Sequence, residues 1–347
     1  MSLVVSIVTP VYNRLSTLPE TYQSILSQGN DVTWEWIVVD DGSTDGSYDW
    51  LGKESLTDSR IRLYRRNEGA KGASRCRNIG IDHAKGRFLI FLDSDDILAP
   101  NCLKERVSAL TARQDLDFLV WHGELFRATP GDRKILWNWS RNEDDHLSRF
   151  LAHDVPWQTT GPLWHLTSLR RSGIRWPEGL LGWDDWGFHI EALACGLKCE
   201  TLPTRDYFIR LESEHHCSTG HDMSSQTRLH LRSHAKGVAA ITETLRDAKI
   251  LTPDYRQLLA ANLGLLAEDE SANGYRWRAI QTMLKGLLSR TTCNHYDYLL
   301  SGTWHFIFAR SRLASLANLS QFQRKSAAGY TIRNGTHRAA APLSILS

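Results

Sequence analysis

The chain has 347 residues, 41% of them hydrophobic, enough for one large domain or two of ordinary size around a real core. Its 41 basic and 39 acidic residues leave a formal net charge of only +2, which gives no reason to expect bulk nucleic-acid binding. The sequence contains no long uncharged apolar run, which argues against a membrane span, and its six cysteines lack the dense spacing of a disulfide framework. Met1 to Pro10 lacks a basic start and a small-residue cleavage site and runs directly into a strand, so the expected location is the cytoplasm.

Leu3-Val4-Val5-Ser6-Ile7-Val8 is a β-rich run broken by Thr9-Pro10, and residues 16–28 carry helical spacing through Leu18, Tyr22, Ile25 and Leu26. The cycle repeats with a strand at 34–39, the turn Asp40-Asp41-Gly42-Ser43-Thr44-Asp45-Gly46 and a helix at 48–56. A third strand, Ile61-Arg62-Leu63-Tyr64, precedes a helix at 72–84 and a fourth strand at 88–92. Alternating strands and helices indicate βαβ units in a mainly parallel sheet, whose ligands bind beyond the carboxyl ends of the strands. Three polar loops fall at such ends: 9–13, 40–44 and 93–96.

Phe88-Leu89-Ile90-Phe91-Leu92-Asp93-Ser94-Asp95-Asp96 is an apolar run that ends abruptly in three carboxylates within four positions. Such acids repel one another unless a cation lies between them, and hard oxygen ligands on a loop suit Mg²⁺ or Mn²⁺ holding a diphosphate. The same acids would also complement the dipole of a helix beginning near Pro100.

This part of the chain resembles the nucleotide-sugar-dependent glycosyltransferases of family 2, which have the GT-A fold. The resemblance rests on Val5-Ser6-Ile7-Val8-Thr9-Pro10-Val11-Tyr12-Asn13 and Ile37-Val38-Val39-Asp40-Asp41-Gly42-Ser43-Thr44-Asp45. Asn67-Glu68-Gly69, Ser74-Arg75-Cys76-Arg77-Asn78-Ile79-Gly80, Ala84-Lys85-Gly86 and Phe91-Leu92-Asp93-Ser94-Asp95-Asp96 continue it in order, over roughly the first third of the chain. It implies a nucleotide-sugar site made by Thr9, Pro10, Tyr12, Asn13, Asp41, Arg77, Asp93 and Ser94, with Thr9, Tyr12 and Asp41 on uracil and ribose. It also implies a metal held by Asp93 and Asp95. Residue chemistry is compatible: a carboxylate such as Asp41 can accept from the N3–H of uracil, and Tyr12 offers a stacking face.

Beyond 100, a helix at 101–113 and a strand at 116–121 lead into a hairpin over 123–138 that turns at Thr129-Pro130-Gly131-Asp132. Trp137, Trp139, Trp157, Trp164, Trp176, Trp183 and Trp186 make the middle of the chain rich in tryptophan; indoles cover sugar faces, but most of these are expected to be core. Asp184 and Asp185 open a helix whose apolar side includes Phe188 and Leu193. The resembled family carries an acidic pair there whose second member is the base, which implies Asp185 as general base and Asp184 as the residue that orients the acceptor. The family's pair is usually Glu-Asp, so Asp184 is a departure.

Short strands at 198–201 and 207–210 flank Pro203. Arg210 followed by His215-His216-Cys217-Ser218 resembles the family's late Arg…His-x-x-Ser element, whose histidine completes the metal site, and His215 fits that spacing. Cys195 and Cys199 with this segment offer zinc-type ligands but not the usual short knuckle. From about 223 the pattern turns helical, at 226–247, 253–270, 275–288 and 296–319. No acid follows Asp297, while Arg310, Arg312, Arg324, Lys325, Arg333 and Arg338 are interleaved with aromatics. That segment suits either an anionic bilayer surface or a packing or homodimer module.

The expected architecture is therefore α/β: a GT-A, Rossmann-like, mainly parallel sheet with helices on both faces over 1–220, and a smaller helical region over 221–347. The expected activity is inverting transfer of a sugar from a UDP-sugar donor to a glycan or lipid-linked acceptor hydroxyl, in bacterial surface polysaccharide biosynthesis. The rivals are a catalytically idle nucleotide-sugar-binding module and a nucleotidyltransferase; the latter calls for a glycine-rich loop after the first strand, and Thr9 to Arg14 contains no glycine. A dehydrogenase is disfavoured because no Gly-x-Gly-x-x-Gly follows a strand.

Overall fold

Every residue of β1 (Val5–Val11), β2 (Trp34–Asp40) and β4 (Phe88–Phe91) is buried, as strands covered on both faces must be. These strands, with β3 (Ile61–Arg65), form the parallel half of a sheet in the computed structural model, which describes residues 3–211, 228–272 and 274–289. Side chains alternate between two cores. Val8, Ile37, Val39, Leu89 and Phe91 face one, while Ile7, Trp36, Val38, Phe88 and Ile90 face the other. The second core is closed by α1 (Leu18–Leu26), α2 (Ser47–Thr57) and α4 (Cys102–Thr111), through Leu18, Tyr22, Ile25, Leu51, Leu103 and Leu110.

On the first face lie α3 (Ala73–His83) and, further along the chain, α5 (His146–Leu151), α6 (Leu166–Ser172) and α7 (Asp184–Ala194). The sheet runs β3-β2-β1-β4-β8-β6-β9-β5, with β5 at Ile97–Leu98, β6 at Phe118–Phe126, β8 at Pro162–His165 and β9 at Cys199–Arg210; β7 (Ile135–Leu136) pairs with β6. Its long ladders are parallel, including β6 with β9, while β8 runs antiparallel between β4 and β6. The chain is thus α/β with a mainly parallel sheet covered on both faces. The carboxyl ends of β1, β2, β4, β6 and β9 share one rim.

Some elements differ from the sequence-based expectation. The strand expected at 116–121 begins at Phe118 and continues to Phe126 before the hairpin to β7. Two short strands around Pro203 are one twelve-residue strand, whose register against β6 shifts between Val120 and His122, where Leu202 to Thr204 are left unpaired. A bulge accommodates Pro203, which has no N–H to give to a ladder. The short elements β5, β8, α5 and α6 carried too few turns or alternations to stand out in sequence.

Helices α8 (Arg228–Asp247), α9 (Pro253–Ala272) and α10 (Arg276–Ser289) follow. Val238, Ile241 and Leu245 of α8, with Leu258 and Leu259 of α9, belong to the same apolar cluster as Trp176, Phe188 and Phe91. Among the described residues, no helix is long and apolar enough to cross a membrane. The expected helix at 296–319 and the basic C-terminal stretch lie outside the described residues.

Candidate active site

The rim at the ends of β1 and β2 is knitted by side chains of the residues expected to hold a nucleotide. Asn13, in a left-handed conformation at φ 52°, donates its backbone N–H to Ser43 Oγ at 3.0 Å and accepts at Oδ1 from Thr44 N–H at 2.8 Å. Asp40 accepts from the backbone N–H groups of Gly42 and Ser43, fixing the turn that presents Asp41. The Asp41 carboxylate is held by the Arg66 guanidinium and by Gly72 N–H at 3.0 Å. Tyr12 lies in the same loop with the Lys71 ammonium 3.6 Å from its ring centroid, a cation–π contact. Thr9 is wholly buried, and its hydroxyl accepts from Trp36 Nε1 at 2.9 Å. Its side chain is therefore turned into the core, where it fixes the strand end carrying Pro10.

At the end of β4, Asp93 to Asp96 form a second loop. Ser94 is anchored by its carbonyl, which accepts from Thr17 Oγ1 at 3.1 Å. Asp95 lies 3.7 Å from Arg14 Nε, and its own carbonyl accepts from Arg210 Nε at 3.1 Å. Asp96 is buried, accepting from Thr160 Oγ1 and Arg210 N–H, and loss of solvent together with Asp95 and Asp93 pushes its carboxyl well above the usual range. Desolvation also raises Asp93, with the like charge of Asp95 adding to it, although the Arg77 cation opposes the change.

Asp184 and Asp185 occupy the first turn of α7, where helix amides favour negative charge. Arg77, on α3, ties them to the other acids: one nitrogen donates to Asp184 Oδ2 at 2.8 Å and another to Asp93 Oδ1 at 2.7 Å. This guanidinium is almost fully buried and lies over the Trp176 ring, 4.3 Å from its centroid. Ser74, one helical turn before Arg77, donates to Asp184 Oδ2 at 3.2 Å. Asp93 and Asp184, 91 positions apart, therefore grip the same cation. Asp185 accepts from Trp186 N–H at 2.8 Å, yet loss of solvent and the neighbouring Asp184 push its carboxyl up to about 7. A carboxylate poised there can exchange a proton at neutral pH, as a general base requires. Neither Ser74 nor Trp176 stood out as a site residue in sequence, although Ser74 lies in the Ser-Arg-Cys-Arg-Asn run.

Among the described residues, no group of three or more His, Cys, Asp or Glu side chains converges as a metal cage. Mg²⁺ needs only one or two protein carboxylates when phosphate oxygens and water complete its shell. Asp93 and Asp95 match that requirement, and their mutual repulsion is what a dication would relieve. His215, the expected third ligand, lies outside the described residues, as do His216 and Cys217 of the zinc alternative.

Residues 6–161 match the family model described as glycosyl transferase family 2. The UDP-Glc:alpha-D-GlcNAc-diphosphoundecaprenol beta-1,3-glucosyltransferase WfgD of Escherichia coli is 38% identical over 121 residues, 35% of this chain and 46% of that protein. The succinoglycan biosynthesis protein ExoO of Rhizobium meliloti (strain 1021) is 30% identical over 221 residues, 60% of each chain. The chain thus spans less than two thirds of either relative's length. Among solved structures, S. aureus TarS 1-349 superposes with a TM-score of 0.59 at 17% identity, over 95% of this chain and 93% of that one. The same protein in complex with UDP-GlcNAc gives 0.56 at 16%, over 82% and 89%. At such identities the likeness concerns the fold.

Proposed function

Residues 6–161 belong to glycosyl transferase family 2, and from that premise we propose that the chain transfers a sugar, with inversion, from a UDP-sugar to a hydroxyl of a glycan or lipid-linked acceptor in bacterial polysaccharide biosynthesis. The observation that carries this reading is the Asp93–Arg77–Asp184 bridge, because it draws the acids of the β4 loop and those opening α7 to one guanidinium. A donor diphosphate beside Asp93 and an acceptor beside Asp184 would then meet within reach of Asp185. The UDP assignment draws on the donor named for the E. coli relative and on the UDP-GlcNAc complex of the structural neighbour.

Asp41 would accept the N3–H of uracil once Arg66 shifts from it, and Tyr12 would offer its ring to the base once Lys71 moves aside. Pro10, Asn13 and Ser94 would shape the backbone around the nucleotide. Asp185 takes the acceptor proton as the new bond forms at the anomeric carbon, and a single base acting opposite the leaving group gives inversion. Asp184, fixed by Arg77 and Ser74, orients the acceptor. Arg77 faces the departing diphosphate, where negative charge grows in the transition state. Asp93 and Asp95, joined by His215 in the resembled arrangement, would hold a Mg²⁺ or Mn²⁺ ion, whose chemistry when bound is neutralisation of that charge. A lipid-linked acceptor would be met at the inner surface of the cytoplasmic membrane, with the basic C-terminal segment as the contact.

Donor hydrolysis measured across UDP-, GDP- and dTDP-sugars with Mn²⁺ tests the reading. Turnover with a UDP-sugar that disappears in Asp185→Asn supports it. Binding of UDP-sugars without turnover under any acceptor condition would instead favour an idle binding module.

A further inference from the structure

Trp183 precedes the acid pair directly and holds φ at +61°, a left-handed conformation that an indole-bearing residue adopts only when its surroundings impose it. Part of those surroundings comes from α8, a helix outside the matched family segment. His234 of α8 stacks on Trp183, with ring centroids 3.9 Å apart and planes 3° from parallel. The ring of His153, itself left-handed at φ 59° after α5, is tilted by 46° against the same indole with centroids 4.2 Å apart. One position before His234, Ser233 Oγ accepts from Leu181 N–H at 2.6 Å. One turn later, Gly237 leaves α8 bare where it faces Leu180 and Trp186. Ser233, His234 and Gly237 of one helix therefore all meet residues 180–186.

Both imidazoles are neutral under ordinary conditions, since burial drives His153 down to about 4 and His234 to about 3. They act as flat rings rather than charges. With His234 stacked on it and His153 tilted against it, the half-buried Trp183 indole is packed against protein. Its role is to fix where α7 begins: Gly187 N–H closes the first turn on Trp183 carbonyl at 3.1 Å, so a rotation at Trp183 swings Asp184 and Asp185 together. The site then depends on which way one backbone pair is set.

We propose that Ser233 and His234 of α8 are positioning residues, which hold the 180–183 segment and the left-handed Trp183 so that Asp184 and Asp185 point at the acceptor. The proposal rests on the reading that this pair serves transfer, and it adds that the pair is assembled only when α8 is docked. Such a role separates turnover from recognition of the base, because Asp41 and Tyr12 lie on elements that α8 does not touch through these residues.

Three variants of the full chain decide it: His234→Ala, His234→Phe, which keeps a flat ring, and Ser233→Ala. Backbone hydrogen exchange over residues 180–186 is compared with exchange in β1 and β2, alongside UDP affinity and donor kcat. In His234→Ala, exchange over 180–186 is expected to rise about tenfold and kcat to fall by a similar factor, with UDP affinity within about twofold of wild type, as for a misaligned catalytic group. His234→Phe restores both to within about threefold, because the stack persists. Exchange at 180–186 that is unchanged, or that rises equally in β1 and β2, overturns the proposal. Should His234→Ala fail to fold, Ser233→Ala carries the same decision by removing one hydroxyl. A wild-type chain that turns over no donor would overturn the proposed function, while the exchange data would still decide whether α8 sets this segment.

Discussion

Arg77 is the residue on which the site turns. It is buried, keeps its charge, and is shared by Asp93 and Asp184. Arg77→Ala leaves two carboxylates facing each other without a cation, and since both acids keep partial solvent contact the expected loss is on the order of 2 kcal/mol, below the range for a fully buried pair. Urea unfolding measures it, and Arg77→Lys should recover only part because an ammonium cannot fork between two acids. Asp185 gives a second prediction with a sign. Its folded value near 7 lies above the ordinary 3.8, so the stability that goes with its proton is complete below 3.8 and is lost progressively as pH rises from there to about 7. Asp185→Asn should therefore lose turnover by at least about a hundredfold, yet melt higher than wild type at pH 8, by a margin that narrows steadily as pH falls from 7 toward 3.8. In wild type, kcat should rise with pH through a limb near 7 as Asp185 gives up its proton. These acids were legible in sequence because a strand or a helix start displays them. The Arg77 bridge was not, because nothing along the polymer ties position 93 to position 184.

At the scale of elements, parallel strands were legible because they are continuous apolar runs punctuated by polar loops. Helices with a full apolar stripe were legible for the same reason. Pieces of two to seven residues, such as β5, β8 and α6, gain their identity from neighbours and left no local period. Pro203 was a misleading signal, since a proline at an expected break sits inside a strand wherever a bulge frees it from pairing. The β6–β9 ladder also depends on Gly123, where a Cβ would come within 2.5 Å of Ile209 Cδ1 and 2.6 Å of the Tyr207 ring. Gly123→Ala should destabilise the fold by about 1–3 kcal/mol through overpacking, read as a lower denaturation midpoint with unchanged slope. Trp183 belongs to this scale too: a tryptophan-rich middle was visible, but the two imidazoles that engage this indole come from positions 153 and 234.

For the molecule as a whole, the two faces of the sheet are closed by different means. One is covered by the helices that alternate with the strands, whereas the other is finished by α8 and α9, whose Val238, Ile241, Leu258 and Leu259 join Trp176 and Phe188. A chelator provides a test at this level: EDTA should abolish donor turnover while leaving the melting temperature nearly unchanged, since Asp93 already has Arg77 as a partner without a metal. Ending the chain at Leu211 would strip apolar cover from the face that carries α3 and α7 and should yield protein that binds hydrophobic dyes and aggregates, as seen by light scattering. A shortened gene of that kind is the natural first attempt at a minimal catalyst. It would discard the residues that cover Trp176 and Phe188 along with those that set Trp183. Grafting a foreign tail onto this sheet, as one might to redirect acceptor choice among relatives, would succeed only if the donor tail carried matching apolar knobs.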